Sequence, residues 1–375
     1  MTWPLVKLQD IFDIARGGSP RPIDDFITED ADGLNWISIK DASNSGKYIS
    51  KTKLKIRKEG LSKSRLVQPG DFLLTNSMSF GRPYIMNTRG CIHDGWLVLS
   101  GDKNKINQDY FYHLLGSNLL HKKFSSLAAG AVVKNLNINL VKGVEVPLPA
   151  LAEQQKIAAI LDAADSLRQK DQQLVERYTA LSQSLFLEMF GDPVTNPKKL
   201  KRITLGEVLK LKSGIFLPAS QMVSTGKYPV FGGNGVNGYH DQFMFESKQI
   251  IIGRVGVYCG CVHVSPPNSW ITDNALYVSE QDSRINFGYL AYSLSQANLN
   301  QFASKSAQPL ISGARLYPTK ILLPEIEHQN QYIKRLNLIE AQKQQAQLGL
   351  AKSEALFNSL LQRAFTGELT AKLVA

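Results

Sequence analysis

Two segments of the sequence contain residue types that serve as cofactor or metal ligands in other proteins. The run GNGVNG at residues 233–238 has the glycine spacing of a dinucleotide-binding loop, which requires a helix directly after it. The following run YHDQF does not look like a helix start, so we predict a glycine-rich hairpin whose backbone can approach a ligand closely. Cys259, Cys261 and His263 alternate, which would place them on one face of a strand. Without a second pair of ligands at zinc-finger spacing, they are a weak metal motif.

The other polar residues form no recognisable catalytic motif. The six histidines include no HExxH pair, and there is no GxSxG elbow, no P-loop and no Asn-Pro-Pro-aromatic tetrapeptide of the kind that amino-methyltransferases use. Three cysteines give no disulfide framework. We therefore expect no catalytic residue, no metal and no cofactor in this chain.

Several predicted loops instead combine basic or amide side chains with glycine. Arg and Lys suit phosphates and guanine edges, and Asn and Gln suit adenine edges. Each residue taken alone is better explained as solvated loop charge, but as a set on two basic regions these residues favour a DNA interface. The predicted DNA-binding residues are Arg21, Asn76, Arg82, Lys134 and Asn135 in the first half of the chain, and Asn234, Arg254, Lys305, Gln308 and Arg315 in the second.

The positive charge is concentrated in the same two regions. The chain has 375 residues, is 43% hydrophobic and has a net charge of +11. Residues 1–150 hold 20 Lys and Arg against 14 Asp and Glu, and residues 193–325 hold 13 against 7, so each region has a net charge of +6. The segments between and after them are close to neutral. Two basic regions on a neutral spacer indicate two contacts with a polyanion such as nucleic acid.

The sequence also contains one pattern twice. LGEVLKLKSG at 205–214 echoes LQDIFDIARG at 8–17 with an offset of 197, and DNALYV at 273–278 echoes DGWLVL at 94–99 with an offset of 179. Pro149, Leu185 and Phe190 match Pro324, Leu360 and Phe365 with an offset of 175. This period is far longer than the roughly 20 to 50 residues of solenoid repeats. It predicts a duplicated unit, in which one globular domain is followed by one long helix.

Short apolar runs bounded by turn residues, with single helical stretches between them, predict an α+β fold for both globular parts. Proline and an acidic residue at the start and Gly-Asp-Pro at the end delimit the first long helix. The predicted boundaries are residues 1–149 for the first domain, 150–192 for the first helix, 193–324 for the second domain, and 325–375 for the second helix and tail. Each helix is expected to have roughly 36 residues and a length of roughly 55 Å.

Both helical segments carry apolar residues at alternating steps of three and four, the spacing of a coiled-coil seam. A two-fold relation between the halves would make the helices antiparallel, with a globular part at each end. Polar seam residues such as Asp171, Lys343 and Ser353 either set the register or mark contact with a third partner. The predicted seam consists of Ile157, Ile160, Ala164, Leu167, Leu174, Tyr178, Leu181 and Leu185 in the first helix, and Leu336, Ile339, Ala346, Leu350, Phe357 and Leu360 in the second.

This arrangement resembles the specificity subunit of type I restriction–modification systems. LPALAEQQKI at 148–157 resembles the start of the family's first long helix, and FGDP at 190–193 resembles its end. LPEIEHQN at 323–330 is a looser match, because His328 stands where the first copy has the acidic Glu153. FTGEL at 365–369 resembles the end of the second helix. The segments 7–18 and 204–214 resemble the starts of the family's two domains. The resemblance covers the whole chain in the order domain, helix, domain, helix.

The resemblance implies a non-catalytic DNA-binding subunit. Each globular part would be a target-recognition domain for one half of a bipartite, asymmetric DNA site, and the helices would set the unread gap between the halves. The implied partners are double-stranded DNA, two adenine methyltransferase subunits that hold S-adenosylmethionine, and endonuclease subunits joined through that complex. No apolar run long enough for a membrane span and no secretory signal is present, so we expect a cytoplasmic protein.

Three alternatives remain open. A subunit of a methylation-only or fused restriction system would have the same sequence features. A coiled-coil adaptor would bind proteins through its two domains, and its affinity for DNA would be weak and insensitive to base sequence. An enzyme that uses the 233–238 loop would bind a nicotinamide or adenine nucleotide.

Overall fold

The computed structural model describes residues 3–76, 81–129 and 136–371. The chain consists of two compact units, residues 1–173 with 347–375, and residues 174–346. Each unit therefore contains one of the predicted α+β domains and part of each long helix. No helix in the described ranges is both long and apolar enough to cross a membrane.

The first unit contains two five-stranded sheets, with strand orders β3-β6-β4-β10-β7 and β2-β11-β8-β9-β5, and the antiparallel pair β1–β12. The strands are β1 (Leu5–Lys7), β2 (Phe12–Arg16), β3 (Ile27–Thr28), β4 (Leu34–Ile37), β5 (Tyr48–Ile49), β6 (Leu54–Ile56), β7 (Arg65–Val67), β8 (Phe72–Thr75), β9 (Pro83–Met86), β10 (Gly90–Ile92), β11 (Trp96–Gly101) and β12 (Glu145–Pro147). The helices of this domain are α1 (Ile39–Ser43), α2 (Gln108–Leu115), α3 (Asn118–Ala129) and α4 (Ile138–Lys142).

The central strands of the first unit are buried on both faces. In β8, Phe72 and Leu74 join the core formed with the helices, whereas Leu73 joins a second core that also includes Tyr84 and Trp96. Strands covered on both sides read as continuous apolar runs instead of alternating ones. FLLT at 72–75 and WLVL at 96–99 are runs of this kind.

The second unit repeats this plan with fewer residues. Its sheets have the orders β14-β20-β17-β18 and β16-β15-β19, together with the antiparallel pair β13–β21. The strands are β13 (Arg202–Thr204), β14 (Leu209–Ser213), β15 (Tyr228–Gly232), β16 (Gly235–His240), β17 (Ile250–Gly253), β18 (Val262–Val264), β19 (Trp270–Ile271), β20 (Ala275–Gln281) and β21 (Lys320–Leu322). The helices outside the first unit's domain are α5 (Leu151–Phe190), α6 (Leu205–Val208), α7 (Phe287–Gln296), α8 (Gly313–Leu316), α9 (Ile326–Ala364) and α10 (Glu368–Ala371).

A buried glutamine ties the first turn of each long helix to its own domain. The Gln154 Oε1 accepts a hydrogen bond from the Asn107 backbone N–H at 2.8 Å, and its Nε2 donates to the Pro149 carbonyl at 2.9 Å. In the second unit, Gln329 makes the same two bonds with Asn286 and Pro324, both at 2.8 Å. Since a buried amide without partners would be costly, these bonds explain why glutamine stands at this position in both helix starts.

The two long helices, of 40 and 39 residues, pack antiparallel in both units. In the first unit the Arg168 guanidinium of α5 lies over the Phe357 ring, late in α9. In the second unit Phe186, late in α5, packs edge to face on Tyr332, early in α9, with ring centroids 5.7 Å apart. The two helices thus form the predicted antiparallel coiled coil.

The predicted seam of α5 is wrong by one residue over part of its length. Leu167, Leu174 and Leu181 are 46%, 40% and 48% exposed, whereas Ser182 and Phe186 are buried. The buried face contains polar side chains that satisfy each other, such as the Ser182 hydroxyl, which donates to Glu340 Oε1 at 2.8 Å. The prediction followed the leucines and therefore placed the seam on the neighbouring face of the helix. In α9, by contrast, Leu336, Ala346 and Ser353 are among the predicted seam residues that the structure buries.

This difference predicts unequal stability effects on α5. Phe186→Ala removes a buried aromatic ring and is expected to lower the free energy of unfolding by about 3–5 kcal/mol. Leu181→Gln, at an exposed predicted seam position, is expected to change it by no more than about 0.5 kcal/mol. Urea unfolding of the two variants measures both values. Comparable losses would mean that Leu181 is part of the packed seam.

The structure confirms the hairpin expected at 233–238, since β15 and β16 pair antiparallel around a turn at residues 233 and 234. The predicted common face for Cys259, Cys261 and His263 is wrong. Only His263 lies in β18, and Cys259 ends a 3₁₀ turn. Residues 107–120 have helical apolar spacing throughout, but they form no single helix, because α2 ends at Leu115 and α3 begins at Asn118.

Candidate nucleic-acid interface

A turn that precedes the central strand β11 organises the surface of the first unit. The Asp94 carbonyl in this turn accepts hydrogen bonds from the Arg16 Nε at 2.8 Å and from the Asn76 Nδ2 at 2.7 Å. These two donors come from the ends of β2 and β8, the neighbours of β11 in the sheet. We call this set of residues the Asp94 turn.

The second unit has an equivalent arrangement around Asp273, which precedes β20. The Asp273 carbonyl accepts hydrogen bonds from the Arg254 Nη1 at 3.3 Å and from the Ser213 hydroxyl at 3.4 Å. The Arg254 Nη1 also donates to Ser213 Oγ at 3.0 Å. Ser213 ends β14, and Arg254 directly follows β17. We call this set the Asp273 turn.

Backbone hydrogen bonds show that Asn76 and Arg254 occupy equivalent positions. The Asn76 backbone N–H donates to the Gly95 carbonyl, and the Asn76 carbonyl accepts from the Leu136 N–H. The Arg254 backbone N–H donates to the Asn274 carbonyl, and the Arg254 carbonyl accepts from the Ile311 N–H. The two units therefore keep the backbone and the bond to the aspartate carbonyl, but exchange an amide side chain for a guanidinium.

One glycine in each unit permits this close approach. A Cβ at Gly17 would overlap the His93 carbonyl, and a Cβ at Gly214 would overlap the Ile271 carbonyl. Any side chain at these positions would push the end of β2 or of β14 away from the turn. This explains why both copies of the repeated segment end in glycine.

Charged groups surround the Asp94 side chain. Its carboxylate accepts a hydrogen bond from the Ser19 hydroxyl at 3.0 Å and lies 3.5 Å from the Arg21 guanidinium, which remains 82% exposed. Burial alone would raise the pKa of Asp94, but the bond from Ser19, a backbone hydrogen bond and the charge of Arg16 outweigh it and hold the pKa below its ordinary value. Burial lowers the pKa of His93 more than Asp94 raises it. An ionised Asp94 thus lies beside the exposed cation of Arg21.

In the second unit, loops that are distant in sequence converge at the Asp273 turn. A Cβ at Gly233, next to Asn234 in the hairpin turn, would lie 3.2 Å from the Asn274 carbonyl. Val255 forms an antiparallel bridge with Leu310. The buried Cys259 Sγ lies 2.9 Å from the Arg254 carbonyl and 3.1 Å from the Pro309 carbonyl, so its single S–H proton can donate to either oxygen. Cys259 therefore connects two loops.

Lys305 and Gln308 project from a short loop that closes on itself beside Arg254. The Ser304 N–H donates to the Leu310 carbonyl at 3.0 Å, and the Ser306 hydroxyl donates to the Gln308 carbonyl at 2.7 Å. The side chains of Lys305 and Gln308 are exposed. Arg315 supports the base of the loop, where its Nη1 donates to the Phe302 carbonyl at 3.2 Å.

The remaining predicted DNA-binding residues do not join these surfaces as expected. Asn76 is only 2% exposed, and its amide is used by Asp94, so it supports the turn and is not presented to a ligand. The Arg82 guanidinium lies 5.2 Å over the Tyr84 ring and lines a pocket with Asp165 and Arg168 of α5, away from the described contacts of the Asp94 turn. Lys134 and Asn135 lie outside the described residues.

Sequence reasoning missed the residues that hold these surfaces together. Arg16, Asp94, Ser213 and Asp273 were not chosen as candidates, although all four lie within or next to the repeated segments. For Asp94 and Asp273 the repeat was the available signal, because both halves retain aspartate at this position, whereas the equivalent positions Arg16 and Ser213 carry different residues.

Each unit also has a groove at the end of a long helix. The groove in the first unit has a volume of about 470 Å³ and is lined by residues that include Lys122 and Leu361. The groove in the second unit has a volume of about 460 Å³ and includes Gln301 and Phe186, the repeat equivalents of those two residues. Among the described residues that line the two grooves there is no aspartate or glutamate.

Known proteins share this sequence pattern and fold. Residues 1–177 and 197–348 match the type I restriction modification DNA specificity domain family. The specificity subunit of the type I restriction enzyme EcoprrI of Escherichia coli is 24% identical, over 86% of this chain and 84% of its own length. The MjaIX specificity subunit of Methanocaldococcus jannaschii is 26% identical, over 59% of this chain and 54% of its own.

The likeness extends to solved structures. The crystal structure of the S subunit of a type I restriction–modification system from M. genitalium superposes with a TM-score of 0.64 at 17% identity, covering 97% of this chain and 96% of that one. At this level of identity the superposition establishes the fold. The family match covers most of the chain, and both its copies fall on the repeated segments. The chain belongs to the family of DNA specificity subunits of type I restriction–modification systems.

Proposed function

We propose that each unit recognises one half of a bipartite, asymmetric DNA site, through the Asp94 turn in the first unit and the Asp273 turn in the second. The observation that carries this proposal is the shared framework with different exposed side chains. Arg21 is presented in one unit, and Arg254, Asn234, Lys305 and Gln308 are presented in the other. Two surfaces that are equivalent in backbone but different in hydrogen-bonding groups suit two different half-sites.

We propose that the chain itself performs no chemistry. Its contribution is to select the DNA site, while a partner that holds S-adenosylmethionine methylates adenine. Under this proposal two methyltransferase subunits bind the chain, and endonuclease subunits join through them.

The paired grooves are our candidates for binding the two methyltransferase subunits. A surface that occurs once in each unit suits two copies of one partner. Both grooves are basic. Lys122 lines the groove of the first unit, and Arg202 and Lys320 line the groove of the second. This charge favours a partner segment that is apolar on one side and acidic on the other.

Lys122→Glu is expected to reduce the number of bound methyltransferase subunits from two to one, because it places an acid in the first groove. Gln301→Glu is expected to do the same in the second groove, and the double variant should bind none. Native mass spectrometry of the co-expressed complex counts the subunits.

Lys122→Gln is the matched control, since it gives the first groove the residue that the second groove already has. It is expected to retain two subunits. Full occupancy in the double Glu variant would place the binding surface elsewhere on the chain.

The function as a whole is tested by the adenine methylome of cells that express this chain with its neighbouring methyltransferase. The expected result is a split, asymmetric motif with a fixed gap, which disappears when the chain is deleted. No new motif and no stable complex would instead favour a protein-binding coiled-coil adaptor. Methylation at the motif without cleavage would identify a methylation-only system.

A further inference from the structure

An exposed phenylalanine lies next to the Asp273 turn. Phe216 is 68% exposed, and Ile215 beside it is 55% exposed, whereas Leu217 is buried. With Ile215, Phe216 forms an exposed apolar pair beside the Asp273 turn, at the surface proposed to bind DNA.

The backbone that carries Phe216 is held firmly in place. The Gly214 N–H donates to the Ala275 carbonyl at 3.1 Å, and the Ile215 N–H donates to the Ile271 carbonyl at 2.9 Å. The indole N–H of Trp270 donates to the Ile215 carbonyl at 3.1 Å. With these bonds on one side and the buried Leu217 on the other, the ring of Phe216 is presented from a fixed position.

The repeat provides an internal comparison. The Gly18 N–H donates to the Ile92 carbonyl at 3.1 Å, which is the bond that Ile215 makes with Ile271 in the second unit. Ser19 therefore stands where Phe216 stands, and its hydroxyl is used internally by Asp94. The first unit has a small polar residue at this place, and the second has a projecting ring.

The surroundings of Phe216 favour a polyanion over an apolar protein surface. Ser213, three residues before it, binds the Arg254 guanidinium. The domain that carries the ring has 13 Lys and Arg against 7 Asp and Glu over residues 193–325. An aromatic ring on a basic surface is the combination that binds the faces of nucleic-acid bases.

We propose that Phe216 inserts its ring at a base step of the second half-site and partly unstacks it, whereas the first half-site stays stacked. This inference rests on the proposed recognition of DNA by both units. Insertion of an apolar wedge kinks the duplex at the step that receives it. Pyrimidine–purine steps unstack most easily, so Phe216 would select such a step through its deformability instead of through hydrogen bonds.

The test uses the full chain and DNA duplexes that contain the motif identified by the adenine methylome. The duplexes have thymines within and beside each half-site. Permanganate oxidises thymines that are unstacked. The wild-type protein is expected to make thymines reactive at the second half-site only. Phe216→Ser, which introduces the residue of the first unit, should abolish this reactivity and lower affinity about ten-fold or more. Phe216→Trp should preserve the reactivity, because it keeps an aromatic wedge.

The outcomes separate the wedge from the function on which it rests. If Phe216→Ser changes neither the permanganate reactivity of the thymines nor the affinity for DNA, the proposed insertion of Phe216 is overturned, while DNA recognition by the two units still stands. If Phe216→Ser leaves DNA binding unchanged but the complex loses the methyltransferase, Phe216 contacts a protein and the proposed insertion into DNA is overturned. A wild-type chain that does not distinguish its motif from random DNA would overturn both proposals.

Discussion

Arg254→Asn is expected to weaken binding at the second half-site by about 10- to 100-fold and to leave the first half-site unaffected. The Nη1 of Arg254 is used by Ser213 and Asp273, and its Nε is buried with no hydrogen-bond partner among the described residues. Nη2 takes no part in these bonds, so it is the atom that we expect a phosphate or base to bind. A half-buried guanidinium fixed in this way can bind an acceptor with little further loss of side-chain entropy.

Asparagine is the informative replacement because the first unit already has it at the equivalent position. The Asn76 amide bonds to the Asp94 carbonyl as Arg254 bonds to the Asp273 carbonyl. Arg254→Asn should therefore keep the turn intact and remove only the charge. Arg254→Ala, which leaves the Asp273 carbonyl without this donor, is expected to lower thermal stability as well.

Fluorescence anisotropy with duplexes in which one half-site is scrambled separates the two halves. If Arg254 neutralises a phosphate, the slope of log affinity against log salt concentration should also become shallower by about one. Loss of affinity at both half-sites, with an unchanged melting temperature, would contradict the assignment of Arg254 to one of them.

The sequence was most informative where the two halves agree. The repeated segments predicted the duplicated domains, and they contain the framework residues Gly17, Gly214, Asp94 and Asp273. A framework must satisfy the same steric and hydrogen-bonding demands twice, so it leaves a matching pattern in both halves. DNA-binding side chains must differ if the half-sites differ, and for this reason the repeat cannot identify them.

Long-range pairing could not be predicted from the sequence. The bridge between Val255 and Leu310 brings Lys305 and Gln308 beside Arg254, although about 50 residues separate these loops along the chain. Asn76 looked like a DNA contact because it lies in a loop with glycine and arginine, but its side chain is buried under the Asp94 turn. The composition of a loop indicates which groups it carries, whereas the direction of each group depends on residues from other strands.

The α5 seam was misassigned for a related reason. Hydropathy favours the stripe that contains Leu167, Leu174 and Leu181, but the packed face contains Arg168 and Ser182, whose polar groups bond to Asp165 and Glu340. A buried polar residue with a partner is as compatible with packing as a leucine. Only the structure shows which polar residues have such a partner.

Lengthening both long helices is expected to change the gap in the recognised DNA motif without changing either half-site. Four residues inserted after Leu174 in α5 and four after Gly349, its repeat equivalent in α9, add about 6 Å to each helix. This is close to two base-pair steps of about 3.4 Å each. Four residues also make slightly more than one helical turn, so the packed faces return nearly to their original direction.

The paired insertion is required because the helices pack antiparallel, so an insertion in one helix alone would shift every later contact against its partner. The single insertion after Leu174 is therefore the control, and we expect it to abolish methylation or prevent a stable complex. In the paired variant, the adenine methylome should contain the same two half-sites with a gap longer by about two base pairs. A methylated motif with its original gap would show that something other than helix length sets the spacing. A motif with altered half-sites would show that the insertion had disturbed the recognition surfaces themselves.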